Sequence, residues 1–219
     1  QYPSYDKKRL EVAMKTETRM FFDYVLRENR PITDFLDGSY TFVNDALATH
    51  YGLEGEFGEG FQKVGLPDSA RRKGLLGHAS VLTASANGVE TSPVVRGVWV
   101  LENILGTPPS PPPPDVPAIE PDTRGATTIR EQLEKHRSNE SCAGCHARID
   151  PWGFGLEHYD PIGGFRENYT IYSGSGKIAK QALGRMVDGS SELPSGDYLK
   201  DEVDLITALV DRKELLPET

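Results

Sequence analysis

Six of the seven residues from Pro108 to Pro114 are proline. Such a run lacks the N–H groups that a helix or sheet ladder needs, and its default is a stiff, extended polyproline II segment. No regular element can run through it, so it divides the chain. The expected organisation is a helical part over residues 1–107, a proline-rich linker or strap over 108–121, and a second domain over 122–219.

The second part holds the only two cysteines, in the pentapeptide Cys142-Ala143-Gly144-Cys145-His146. C-x-x-C-H is the spacing of covalent haem attachment. Each thiol adds across one porphyrin vinyl group: a C–S bond forms, and the thiol proton goes to the other vinyl carbon. The adjacent imidazole ligates the iron. One covalent haem c is therefore the expected cofactor, with His146 as its proximal ligand. The alternatives for the pair are a redox disulfide and half of a zinc site. Structural zinc wants four Cys or His ligands, and the sequence has no second cysteine pair. A thioredoxin-like pair wants a βαβ context, and none surrounds it.

Residues downstream extend this reading. A ligating imidazole needs an acceptor for its other ring N–H, and the carbonyl of Pro151 is the one expected. Pro151 also reads as the end of a short motif helix. Trp152, Tyr159, Arg166 and Tyr169 are candidate donors to the haem propionates, because burying a carboxylate requires donors. Met186, in a glycine-rich loop, is the leading candidate for the sixth iron ligand; His158, His78 and no protein ligand stay open. Met14 and Met20 lie on a helical apolar stripe and read as core.

The sixth ligand decides the function. A His/Met iron suits electron transfer to or from a partner protein or domain, and that is the expected activity. The alternative is a peroxidase-class haem enzyme with an open iron position and a distal acid–base group such as Glu157 or His158.

The formal charge of −9 argues against nucleic acid and anionic membrane surfaces, and favours a basic redox partner. No apolar run approaches the roughly 18–20 residues of a membrane span. Haem c attachment takes place, in bacteria, outside the cytoplasmic membrane, so a periplasmic or otherwise exported location is expected. The chain starts at Gln1 rather than Met and reads as a processed or internal segment of a larger chain.

Local signals predict mainly helices. Residues 5–29 carry Leu10, Met14, Phe21 and Val25 on one face, ahead of Pro31. Asn44 is placed to cap a helix ending before Gly52, and residues 53–67 read as a glycine-rich loop. Residues 74–84 read as a buried helix containing His78. Ser92 and Pro93 open a helix that closes at Gly106. Thr128-x-x-Glu131 is a capping box for a helix reaching about Arg137, with His136 facing solvent. A small hairpin is expected around Tyr169-Thr170-Ile171-Tyr172. Asp197 is the expected cap of a closing helix bearing Leu199, Val203, Ile206 and Val210. The fold class expected is mainly α: a helical N-terminal part, the polyproline strap, then a cytochrome c-like haem domain with at most a small β-hairpin.

Three blocks resemble a family of large multidomain proteins common in planctomycetes. They are Tyr40-Thr41-Phe42-Val43-Asn44; residues 91–97 continuing through Leu101-Glu102-Asn103-Ile104-Leu105-Gly106-Thr107-Pro108-Pro109; and residues 141–166, with Asp150-Pro151, Gly153-Phe154, Tyr159-Asp160 and Ile162-Gly163. The resemblance implies haem c, an exported location and further domains on both sides, and it implies no substrate. The chain departs from the family at His158, where a small polar residue is usual, and at Met186, where leucine is usual.

Overall fold

The computed structural model describes residues 5, 9–87, 90–111, 128–137, 140–173 and 180–212. Of the proline-rich stretch, residues 112–121 lie outside the described residues, as do 174–179 of the expected hairpin and the side chain of His136. In chain order the elements are α1 (Leu10–Arg27), α2 (Asp34–Asp37), β1 (Tyr40–Val43), α3 (Asp45–Tyr51), β2 (Gln62–Gly65), 3₁₀ turns at Asp68–Ala70 and Leu75–Gly77, α4 (Ala79–Ala84), α5 (Pro93–Asn103), α6 (Ile129–Arg137), α7 (Glu140–Phe154), β3 (Asn168–Ser173), β4 (Lys180–Met186), β5 (Ser191–Glu192), β6 (Tyr198–Leu199) and α8 (Glu202–Val210). Each pair β1–β2, β3–β4 and β5–β6 forms a separate antiparallel ribbon.

This architecture corrects the expectation of a mainly helical chain ending in a cytochrome c-like haem domain. A hairpin follows the first helices, because Tyr40–Val43 pairs with Gln62–Gly65 inside the stretch read as loop. All four β1 side chains are buried, so the strand lacks the polar–apolar alternation that marks a one-sided strand. After α7 the chain runs through two further ribbons before its last helix, so the C-terminal part is mixed rather than helical.

Several local readings match the structure. Leu10, Met14, Phe21 and Val25 form the buried face of α1. The Asn44 side chain accepts from the Leu47 N–H, and Gly52 ends α3 at φ 67°. Ser92 caps α5, with Pro93 in its first turn. The capping box is reciprocal: Thr128 Oγ1 accepts from the Glu131 N–H at 3.2 Å, and Glu131 Oε2 accepts from the Thr128 N–H at 3.3 Å. Others are corrected. His78 breaks residues 74–84 into a 3₁₀ turn and the short α4. Asp201, not Asp197, caps α8 by accepting from the Val203 and Asp204 N–H groups. Asp197 instead closes the β5–β6 turn, and Leu199 belongs to β6.

The main core draws on both sides of the proline run. Leu76, Leu82, Val100 and Leu101 pack with Ile149, Trp152, Leu156, Tyr159, Leu205 and Leu209. At about 1.5–3 kcal/mol per fully buried large apolar side chain, this cluster is a principal source of stability. Its centre is the crossing of α5 and α7, which two glycines permit. A Cβ on Gly97 would lie 2.9 Å from the carbonyl carbon of Ile149, and one on Gly153 would lie 2.7 Å from the Cα of Pro93. Each helix thus meets its partner's backbone at a residue without a side chain.

Candidate functional site

The motif lies on α7, the helix fixed by that crossing. On a helix, residues three and four apart are surface neighbours, so Cys142, Cys145 and His146 share one face. Cys142 is buried and Cys145 exposed, and the two sulfurs are thiols rather than a disulfide. Between them, a Cβ on Gly144 would meet nothing within 4 Å. Among the described residues no three His, Cys, Asp or Glu side chains converge as a metal-ion cage.

His146 is held by Asp150, one turn further along α7. Its Nδ1 lies 2.9 Å from Oδ1 and 3.1 Å from Oδ2 of the carboxylate. Asp150 is fully buried, and its other ionic neighbour is Arg137, whose Nη1 is 3.9 Å from Oδ2. A ring that donates Nδ1–H to a carboxylate would bind iron through Nε2, with its tautomer and orientation set by the second partner. Sequence reasoning passed over Asp150, although its four-residue spacing from His146 is the signal that finds it.

The segment after α7 is locked to the N-terminal part by buried arginines. Arg96 on α5 is wholly buried; its Nη1 donates to the carbonyls of Leu156 and Tyr159 at 2.7 and 2.8 Å, and its Nη2 to that of Asp160 at 3.0 Å. Burial pulls its guanidinium down to about 10, still charged at neutral pH. Arg72 donates to the carbonyls of Gly77 and Gly163 and stacks over the Tyr51 ring. Arg71 reaches Asp201 and Glu202, each at 2.7 Å. The Asp160 side chain turns the chain by accepting from the Ile162 and Gly164 N–H groups.

Residues 72–169 match the family model PSCyt3, described as a protein of unknown function (DUF1588), and residues 1–53 match PSD4, described as a protein of unknown function (DUF1592). These are domains typical of planctomycete-type multidomain proteins of unknown function. No curated protein and no solved structure matches the chain. The PSCyt3 match runs through the proline-rich stretch and contains Arg72, Arg96, Gly97, the cysteine motif, Gly153 and Arg166. Among the described residues no helix is long and apolar enough to cross a membrane.

The structure distributes the sequence-predicted site residues between the motif helix and this clamp. Pro151 lies inside α7, which continues to Phe154, so it does not end the helix. Its carbonyl accepts from the Ser191 hydroxyl at 2.8 Å, while His146 faces Asp150. Trp152 is buried in the main core under the Arg212 guanidinium, and its indole N–H has no acceptor among the described residues. The Tyr159 hydroxyl donates to the Arg71 carbonyl, and burial raises its pKa. Arg166 donates to Thr91 and to the buried carboxylate of Glu157, the latter at 2.8 Å, and covers the Tyr169 ring. Met186 ends strand β4 rather than lying in a loop, with 75% of its surface exposed.

The other candidates are engaged elsewhere. Glu157 accepts from Thr91 and Arg166. His158 stacks on Phe165, with Nδ1 3.2 Å from Glu202. His78 is buried against Phe21, and its Nδ1 is 3.0 Å from the Thr18 hydroxyl.

Proposed function

We propose that this chain holds one covalent haem c and serves as an electron-transfer module of an exported protein. The observation that carries the reading is the face of α7: two thiols and an imidazole at attachment spacing, with the imidazole anchored through Nδ1 by a buried carboxylate. Three further features fit such a group. Space is open at Gly144 between the thiols. Cys145 lies at the surface. The buried Trp152 N–H, seven residues from Cys145 on the same helix face, is a donor in want of an acceptor.

The residue roles follow. Cys142 and Cys145 form the thioethers by S–H addition, which needs no oxidant. His146 ligates through Nε2, and Asp150 holds its ring. When bound, the haem supplies reversible one-electron chemistry. A cofactor joined at an exposed cysteine leaves an edge that a partner can approach, and the negative chain favours a basic one. Met14 and His78 are buried, Met20 packs beside the Phe21–Tyr40 cluster, His50 bonds the Ile162 carbonyl and His158 stacks on Phe165 beside Glu202, whereas Met186 is 75% exposed. Met186 would be the second axial ligand in this proposal.

The test is the optical spectrum of the protein produced with haem-attachment machinery, with and without carbon monoxide. The wild type is expected to be low-spin and inert to the gas, and Met186→Ala to bind it when reduced. Carbon monoxide binding by the reduced wild type would exclude the methionine and the carrier role with it.

A further inference from the structure

The partner of His146 separates this site from one in which a backbone carbonyl holds the ring. Asp150 is fully buried, and the imidazole Nδ1 lies within 3.1 Å of both carboxylate oxygens. The only other charged group near it among the described residues is Arg137, at 3.9 Å and more than a quarter exposed. The neutral acceptor next in the chain, the Pro151 carbonyl, is taken by Ser191.

We infer that Asp150 is a positioning residue that makes the iron of this site a low-potential one. The inference rests on the haem reading above. A carboxylate behind an axial imidazole makes a stronger, charge-assisted hydrogen bond to its N–H than a neutral acceptor does, and raises the basicity of the ligating nitrogen. Its charge also favours the ferric state, which carries one positive charge more than the ferrous. Burial amplifies both effects, because water does not screen the pair. A neutral carbonyl in the same place would orient the ring without supplying the charge. Arg137 opposes the carboxylate's charge from 3.9 Å. The two groups therefore pull the potential in opposite directions: Asp150 down, Arg137 up.

That opposition gives the test. Wild type, Asp150→Asn and Arg137→Gln are produced with haem-attachment machinery, their covalent haem content is measured by haemochrome spectrum, and their midpoint potentials by spectroelectrochemistry. Asp150→Asn keeps an acceptor for Nδ1–H and removes the charge, so the potential is expected to rise. Arg137 is more than a quarter exposed, and its removal is expected to lower the potential. A merely structural role for Asp150 leaves the potential of Asp150→Asn at that of the wild type. If the wild type holds no covalent haem, the reading of the site fails. If all three proteins hold haem and their potentials coincide, the site stands and the inference is wrong. Should Asp150→Asn fail to fold, Asp150→Ser replaces it as the charge-removing variant, and a potential equal to that of the wild type overturns the proposal.

Discussion

Gly153→Ala probes the packing that places the motif helix. In an exposed helix the change would stabilise by about 1 kcal/mol, through reduced freedom of the unfolded chain. Here the new Cβ would sit 2.7 Å from the Cα of Pro93. Carbon atoms rest about 3.5–4 Å apart, so α5 and α7 must separate by roughly 1 Å. A gap of that size forfeits a quarter to a half of each dispersion contact it opens. The obstructing atoms are backbone and cannot rotate away, so the cost falls at the upper end of overpacking penalties, about 3–4 kcal/mol. The net expectation is a loss of about 2–3 kcal/mol, or roughly 5–10 °C in Tm. Urea unfolding followed by circular dichroism measures it. Gly144→Ala, on the same helix with open space at its Cβ position, is the control, with a gain of about 0.5–1 kcal/mol expected. A Gly153→Ala protein as stable as wild type would refute the close crossing.

Two further predictions concern buried charge. Glu17, whose carboxylate accepts from Thr41 and Tyr51, is pushed by burial from 4.5 up to about 7. The fold thus retains a proton that the unfolded chain releases, so this group's contribution is complete below pH 4.5 and lost as pH rises through about 7, a swing of about 3 kcal/mol. His78 has the opposite sign: burial lowers it from 6.5 to about 3, so its contribution is complete above pH 6.5 and lost as pH falls toward 3. Glu17→Gln should gain on wild type by about 3 kcal/mol between pH 4.5 and 8 in denaturant titrations; a constant difference across that range would contradict the assignment. Arg96→Met removes the guanidinium that the Leu156, Tyr159 and Asp160 carbonyls share and the buried cation beside Glu157, and should cost about 3–5 kcal/mol by the same assay. Arg96→Lys should rescue little, since an ammonium cannot reproduce the fork.

What the sequence disclosed was mostly local. The caps at Asn44, Ser92 and Thr128 rest on side chains bonding N–H groups three residues away, and short-range chemistry of that kind is written in order along the chain. The motif face of α7 was legible for the same reason. Strand β1 was not, because a strand buried on both faces looks like any short apolar run. The clamp was hidden differently. Arg96 stands alone among apolar residues of α5, which signals a buried charge, but its partners are backbone carbonyls some sixty residues on and carry no sequence signature. Tyr159 and Arg166 drew attention as donors, and donors they are, to the Arg71 carbonyl and to Glu157. The third resembling block, residues 141–166, holds much of the clamp that seats the motif helix.

The central claim is covalent haem on Cys142 and Cys145. Its most direct measurement is the intact mass of protein from cells with haem-attachment machinery, under denaturing conditions that strip any unattached cofactor. The account predicts a mass increased by one haem in the wild type and unincreased in the Cys142→Ala, Cys145→Ala double variant. A wild-type mass equal to the bare polypeptide, with both thiols open to alkylation, would contradict it.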